Sequence, residues 1–298
     1  MAILLAILLT ILCSLDICLH VASVYIFYFT YKVGISRIKN VFFINLSISE
    51  IFISALIVCE EVLDMMEGVE STDGISVAGP SSREVKLHIS LYVAFLSHFL
   101  HMLLITADRV ANHVYHLPQH HRHASDDTAK LCVAISWTTE GGLLLFLLLY
   151  WETENRFNYY QVFTDYVLPI VGGLYLLFCV ATSAYTRSNG QKRSAPHRRR
   201  TTRTSAILHH YGRSSVCISA LLRNSFIVCV VLPTLVLLMV KQTLLSEASA
   251  MDINKFFYAV DFLVDAVIRI LVDPVTRKIT LWKFCGRQSP PSSKKYSL

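Results

Sequence analysis

The sequence predicts an all-α membrane protein, a seven-transmembrane helix bundle with a short amphipathic C-terminal helix. Three observations predict it. Of 298 residues, 54% are hydrophobic and only 16% charged, against about 25% charged in a soluble domain. The apolar residues gather in seven runs, at about 2–31, 40–63, 87–111, 129–150, 164–187, 215–241 and 254–279. Each run is long enough for a membrane-spanning helix, which needs roughly 20 residues. The Lys and Arg residues between the runs fall in alternate loops, eighteen on one side and five on the other.

Each run has its own justification. The first, from Met1-Ala2-Ile3 to Tyr31, lacks the basic start of a signal peptide, so it reads as a span with almost no ectodomain before it. None of the seven shows the ten-residue alternation of a barrel strand, and backbone groups in lipid must pair within their own helix or a closed barrel. Pro169, Pro233 and Pro274 lie inside the last three runs. They are tolerable there as kinks, because neighbouring helices satisfy the freed carbonyls. The eight Cys lie in or beside apolar runs, so no disulfide framework is readable. Seven spans use about 140–175 residues. That leaves one transmembrane domain over 1–285 and a tail over 286–298.

The basic residues set the orientation. The rich set of loops holds Lys32, Arg37 and Lys39, then Arg122, then the Arg187–Arg213 loop with His197-Arg198-Arg199-Arg200, then the stretch from Arg277 to Lys295. The poor set holds Arg83, Lys86, Arg156, Lys241 and Lys255. The positive-inside rule places the rich set in the cytoplasm and the N-terminus outside. Asn45-Leu46-Ser47, the one N-x-[ST] match, then falls at an inner helix end, where it is not glycosylated. The net charge of +6 is explained by topology and anionic lipid contact rather than nucleic-acid binding.

The motifs follow in order along the runs. Run two carries Leu46-Ser47-Ile48-Ser49-Glu50, and run three closes with Asp108-Arg109-Val110. Run four has Trp137, runs five and six have Pro169 and Pro233, and run seven ends Asp273-Pro274-Val275-Thr276-Arg277. Leu281-Trp282-Lys283-Phe284-Cys285 comes next. The chain resembles a rhodopsin-like (class A) G-protein-coupled receptor over nearly its whole length. Each match is short, and their order, one per span, makes the signal specific. The resemblance implies a plasma-membrane, multi-pass receptor that couples an extracellular ligand to a heterotrimeric G protein. It implies no enzyme activity, cofactor or metal.

The departures are also specific. The family's tryptophan before the span-six proline is Val231 here, its span-five tyrosine is Leu177, and its span-seven tyrosine is Arg277. The disulfide to the second outer loop cannot form, because no Cys lies between 133 and 178.

The resemblance assigns roles residue by residue. Asp108 and Arg109 are the G-protein coupling pair, in which the carboxylate holds the guanidinium at rest. Where some receptors place a second acid for that Arg, this chain has Arg213, which predicts a weak resting latch. Cys285 is the candidate palmitoylation site. In the family an acid on span two and polar groups on span seven share a sodium ion. Here the corresponding polar cluster is Glu50, His98, Arg269 and Asp273, with two readings open: Arg269 replaces the ion in a Glu50–Arg269–Asp273 cluster, or Arg269 faces elsewhere and a sodium ion still binds Glu50 and Asp273.

Leu91 stands where an amine receptor has an Asp, and Val267 where an opsin has its Lys, so neither ligand class fits. The candidate pocket comprises Leu91, Glu61, Asp261 and Asp265, with Glu60 beside them, and the ligand itself is not legible. Asp16, Glu140 and Arg223 are further intramembrane charges. Such charges mark function or pairing. They also motivate the alternatives of an ion-coupled transporter or channel and, with twelve His, a membrane metal-dependent hydrolase.

Overall fold

The computed structural model describes residues 2–32, 37–70, 82–115, 122–153, 166–192, 220–241, 247–272 and 277. These residues are helical, with no strand among them. They form α1 (Ala2–Lys32), α2 (Arg37–Glu70), α3 (Ser82–Tyr115), α4 (Arg122–Thr153), α5 (Leu168–Lys192), α6 (220–241) and α7 (Glu247–Val267). A π-helical turn, Ile268–Val272, continues α7. Several helices run past the apolar stretches that predicted them. Hydropathy registers only the apolar length of a helix and not its polar ends.

Five stretches are long and apolar enough to cross a membrane: Leu4–Lys32, Asn40–Met66, Lys86–Ala107, Asp127–Leu149 and Ala220–Leu237. The other two predicted spans fall short for different reasons. The apolar part of α5 is the shorter Pro169–Ala184. The run of α7 is broken by Asp252, Lys255, Asp261, Asp265 and Arg269.

The outer surface is apolar, and polar side chains lie inside among the hydrophobic core, as suits a membrane-embedded protein. On α1 the exposed face is Leu4, Ile7, Leu8, Ile11 and Leu15, while Asp16, His20 and Ser23 are buried. Both sets recur at three- and four-residue steps, so one helix turns an apolar face outward and a polar face inward. On α4 the same division puts Leu131, Ile135 and Leu145 outside and Ser136 and Glu140 inside.

Most neighbours in sequence are neighbours in space, while α4 packs on α2 and α3. α1 packs on α2, α2 on α3, α3 on α4 and α5, α5 on α6, and α6 on α7. α7 returns to α1 and α2 and closes the ring.

The prolines coincide with widened turns. In α6 the π turn Ile227–Val231 lies just before Pro233. A proline frees the carbonyl four residues earlier, here that of Cys229, within that turn. The π turn Ile268–Val272 stands in the same relation to Pro274, which itself lies outside the described residues. Pro169 follows two π-helical residues, 166 and 167.

Candidate functional site

The buried polar side chains lie in layers between the helices. The central layer is built on Arg269, which is 0% exposed. Its Nη1 donates to Ser47 Oγ at 2.7 Å and to Glu50 Oε2 at 2.8 Å. Its Nη2 donates to Glu50 Oε1 and to Asp265 Oδ2, the latter at 3.2 Å. The fork is therefore bidentate on Glu50, the strongest geometry open to a guanidinium and a carboxylate. Asp265 is one turn before Arg269 on the same helix, so the pair is local to α7.

α1 enters this layer through His20. Its Nε2 donates to the carbonyl of Phe262 at 3.1 Å, and Nδ1 lies 3.1 Å from Glu50 Oε2. A carbonyl only accepts, so Nε2 carries a proton, and Nδ1 pairs with Glu50 only when the ring is protonated at both nitrogens. Asp16, one turn earlier, accepts from Ser54 of α2 at 3.2 Å. Asp261, one turn before Asp265, accepts from Ser225 of α6 at 2.8 Å. Four helices thus contribute to this layer, and two of them, α2 and α7, touch the cation.

A second ionic layer is built on Lys255, which is 2% exposed. Its Nζ contacts Glu60 Oε1 at 2.9 Å and Glu61 Oε1 at 3.0 Å, both on α2. Asp252 Oδ1 is 3.4 Å away on its own helix, and His88 of α3 pairs with Glu60. Lys255 and Arg269 are fourteen residues apart on α7, about 21 Å along a helix axis. α7 is therefore tied to α2 by a buried cation at two levels.

A third layer joins α3 to α4. Glu140 accepts from Ser97 and from Ser136, each at 2.6 Å. His101 Nδ1 donates to the carbonyl of Ser97 at 2.8 Å. Trp137 Nε1 donates to Asn45 of α2 at 3.0 Å.

Between α3, α5, α6 and α7 the core is aromatic. Phe226 is ringed by Phe99 at 4.8 Å, His98 at 5.0 Å and Tyr175 at 5.3 Å. Phe95 and Tyr258 stack at 3.9 Å.

The expected residues are distributed as follows. Glu50 and Arg269 meet, and the described third member is Asp265. Asp273 lies outside the described residues. His98 does not hydrogen-bond the pair: its ring sits against Phe226 and Phe262, and neither nitrogen has a hydrogen-bond partner among the described residues. The four pocket residues are not one surface. Leu91 is wholly buried, Glu61 is bound to Lys255, and Asp261 and Asp265 belong to the central layer.

Asp108 and Arg109 lie on the last part of α3, but their side chains lie outside the described residues, as do Arg213 and Cys285 entirely. Arg277 is exposed. Lys255, expected in an outer loop, is instead buried inside α7, because Glu60 and Glu61 supply the charge that holds it there.

His20, Ser54 and Lys255 carry the layers without having been singled out. The signal was present for each. Asp16, His20 and Ser23 share one face of α1, and Lys255, Tyr258, Phe262, Asp265 and Arg269 repeat at three- and four-residue steps.

The sequence matches no model of a known protein family and no curated protein.

Proposed function

We propose that the chain is a divergent rhodopsin-like receptor, spanning the plasma membrane seven times with its N-terminus outside. It binds an extracellular ligand and activates a heterotrimeric G protein, and it is not an enzyme. The observation that carries this reading is the ordered series of motifs, one per span: Glu50, Asp108-Arg109, Trp137, Pro169, Pro233 and Asp273-Pro274. The ring of helices with α3 packed against α2, α4 and α5 suits it.

The mechanism is a population shift, in which ligand favours the state it binds more tightly. In the open state Arg109 offers its guanidinium at the inner mouth, and Asp108 holds it otherwise. The basic residues between 187 and 213 suit acidic partner surfaces and anionic lipid. Cys285 is available for acylation beside the inner leaflet.

The test is G-protein activation on expression in cells, comparing wild type with Arg109→Ala. Basal or ligand-driven activation that disappears in the variant, at equal surface expression, supports the reading. The same signal in both proteins contradicts it.

One observation favours a second reading, an ion-coupled transporter: ionisable side chains are stacked from Lys255 to Arg269 through the interior. Ion-driven uptake into liposomes holding the purified protein distinguishes it.

A further inference from the structure

The Glu50 carboxylate is enclosed and fully used. It is 0% exposed, Oε1 accepts from Arg269 Nη2, and Oε2 accepts from Nη1 at 2.8 Å with His20 Nδ1 3.1 Å away. Four oxygens converge on the guanidinium: Ser47 Oγ, both oxygens of Glu50, and Asp265 Oδ2. They come from two helices, and His20 of α1 closes the third side. Arg269 itself sits in the π turn Ile268–Val272. The chain thus supplies one positive charge at the point where Glu50 and Asp265 meet.

We propose that Arg269 is a tethered counter-ion. Its guanidinium permanently fills a cation site formed by Ser47, Glu50 and Asp265. Both oxygens of Glu50 are therefore taken, and a free monovalent cation has no place on that carboxylate. Removing the side chain turns the same oxygens into a binding site for a free cation of the guanidinium class. The planar fork decides the class. Glu50 receives two parallel N–H groups side by side, a geometry that methylguanidinium reproduces and that a spherical or quaternary cation does not. A ligand seated there stabilises the folded state by mass action. The proposal stands on buried geometry and not on G-protein coupling, so a failure of the receptor reading leaves it intact.

The test uses the purified full-length protein in detergent, read by its thermal unfolding midpoint. In wild type, sodium chloride and choline chloride at equal ionic strength are expected to give the same midpoint. Arg269→Ala is expected to lower it by on the order of 10 °C. Millimolar methylguanidinium chloride then restores several degrees, and choline chloride restores none. In Glu50→Gln/Arg269→Ala the methylguanidinium response is lost. A sodium-specific rise in wild type overturns the proposal, and so does an Arg269→Ala protein that responds equally to methylguanidinium and choline. Should Arg269→Ala not fold, the wild-type sodium comparison still decides, because a filled site shows no sodium-specific rise.

Discussion

The α1–α2–α7 side of the bundle and the α5–α6 side are held together by different physics. On the first side, Arg269 and Lys255 of α7 reach Glu50, Glu60 and Glu61 of α2, and His20 adds α1. On the second side, rings meet rings: Phe99, Tyr175 and Phe226 form edge-to-face pairs at 4.8–6.0 Å. Only two side-chain hydrogen bonds described between α6 and α7 cross over, Ser225 to Asp261 and Thr234 to Asn254. An ionic hydrogen bond tolerates little change of distance or angle, whereas aromatic packing accepts many similar arrangements. The polar side therefore fixes the register of α7 on α2, and α6, with its π turn before Pro233, is the more compliant element.

The largest effects should come from breaking that contrast at its centre. Arg269→Gln strands the buried Glu50 and Asp265 and is expected to cost about 3–5 kcal/mol. Unfolding followed in detergent, with surface expression alongside, measures it. Lys255→Met is expected to cost less, about 2–3 kcal/mol, because Asp252 in its cluster is half exposed and hydrated. Equal losses in the two variants would mean that depth in the bundle does not set the cost.

The aromatic side should respond to volume rather than charge. Phe226→Leu keeps an apolar side chain and is expected to cost about 1 kcal/mol. Ser225→Ala removes one hydrogen bond to Asp261 and is expected to cost about 0.6–1.5 kcal/mol. A loss as large as that of Arg269→Gln in either would erase the difference between the two sides.

The smallest effect should be a gain. A Cβ at Gly172 would meet Val231 and Phe99 at 3.7–3.9 Å, ordinary contact distances. Gly172→Ala is therefore expected to add about 0.5 kcal/mol to stability.

The parts of the molecule were not equally legible in its sequence. Helices α1 to α4 and α6 announce themselves, because a long apolar run has few other readings. α7 was harder. Its buried charges break the hydropathy signal, and they are buried only because α2 brings matching charges to them. That same pairing hid Lys255, whose charge taken alone places it in a loop. The Glu50–Arg269 pair was legible, since two charges deep in apolar runs must find partners. Which acid would be the third partner was not. Asp265 and Asp273 are both four residues from Arg269, on opposite sides, and spacing cannot choose between them. His20 carried no motif, and only the phase of α1 placed it beside Asp16.

The pairing of Arg269 with Glu50 is the central structural claim, and a double-mutant cycle tests it most directly. Glu50→Gln, Arg269→Gln and the double variant would be compared by unfolding in detergent. Two neutral amides can hydrogen-bond each other, whereas Arg269→Gln alone strands Glu50, and Glu50→Gln alone leaves Arg269 with Asp265 as its one carboxylate among the described residues. The double variant is expected to be more stable than Arg269→Gln alone, with a coupling energy of about 2 kcal/mol or more. Additive losses, with the double variant the least stable of the set, would contradict it.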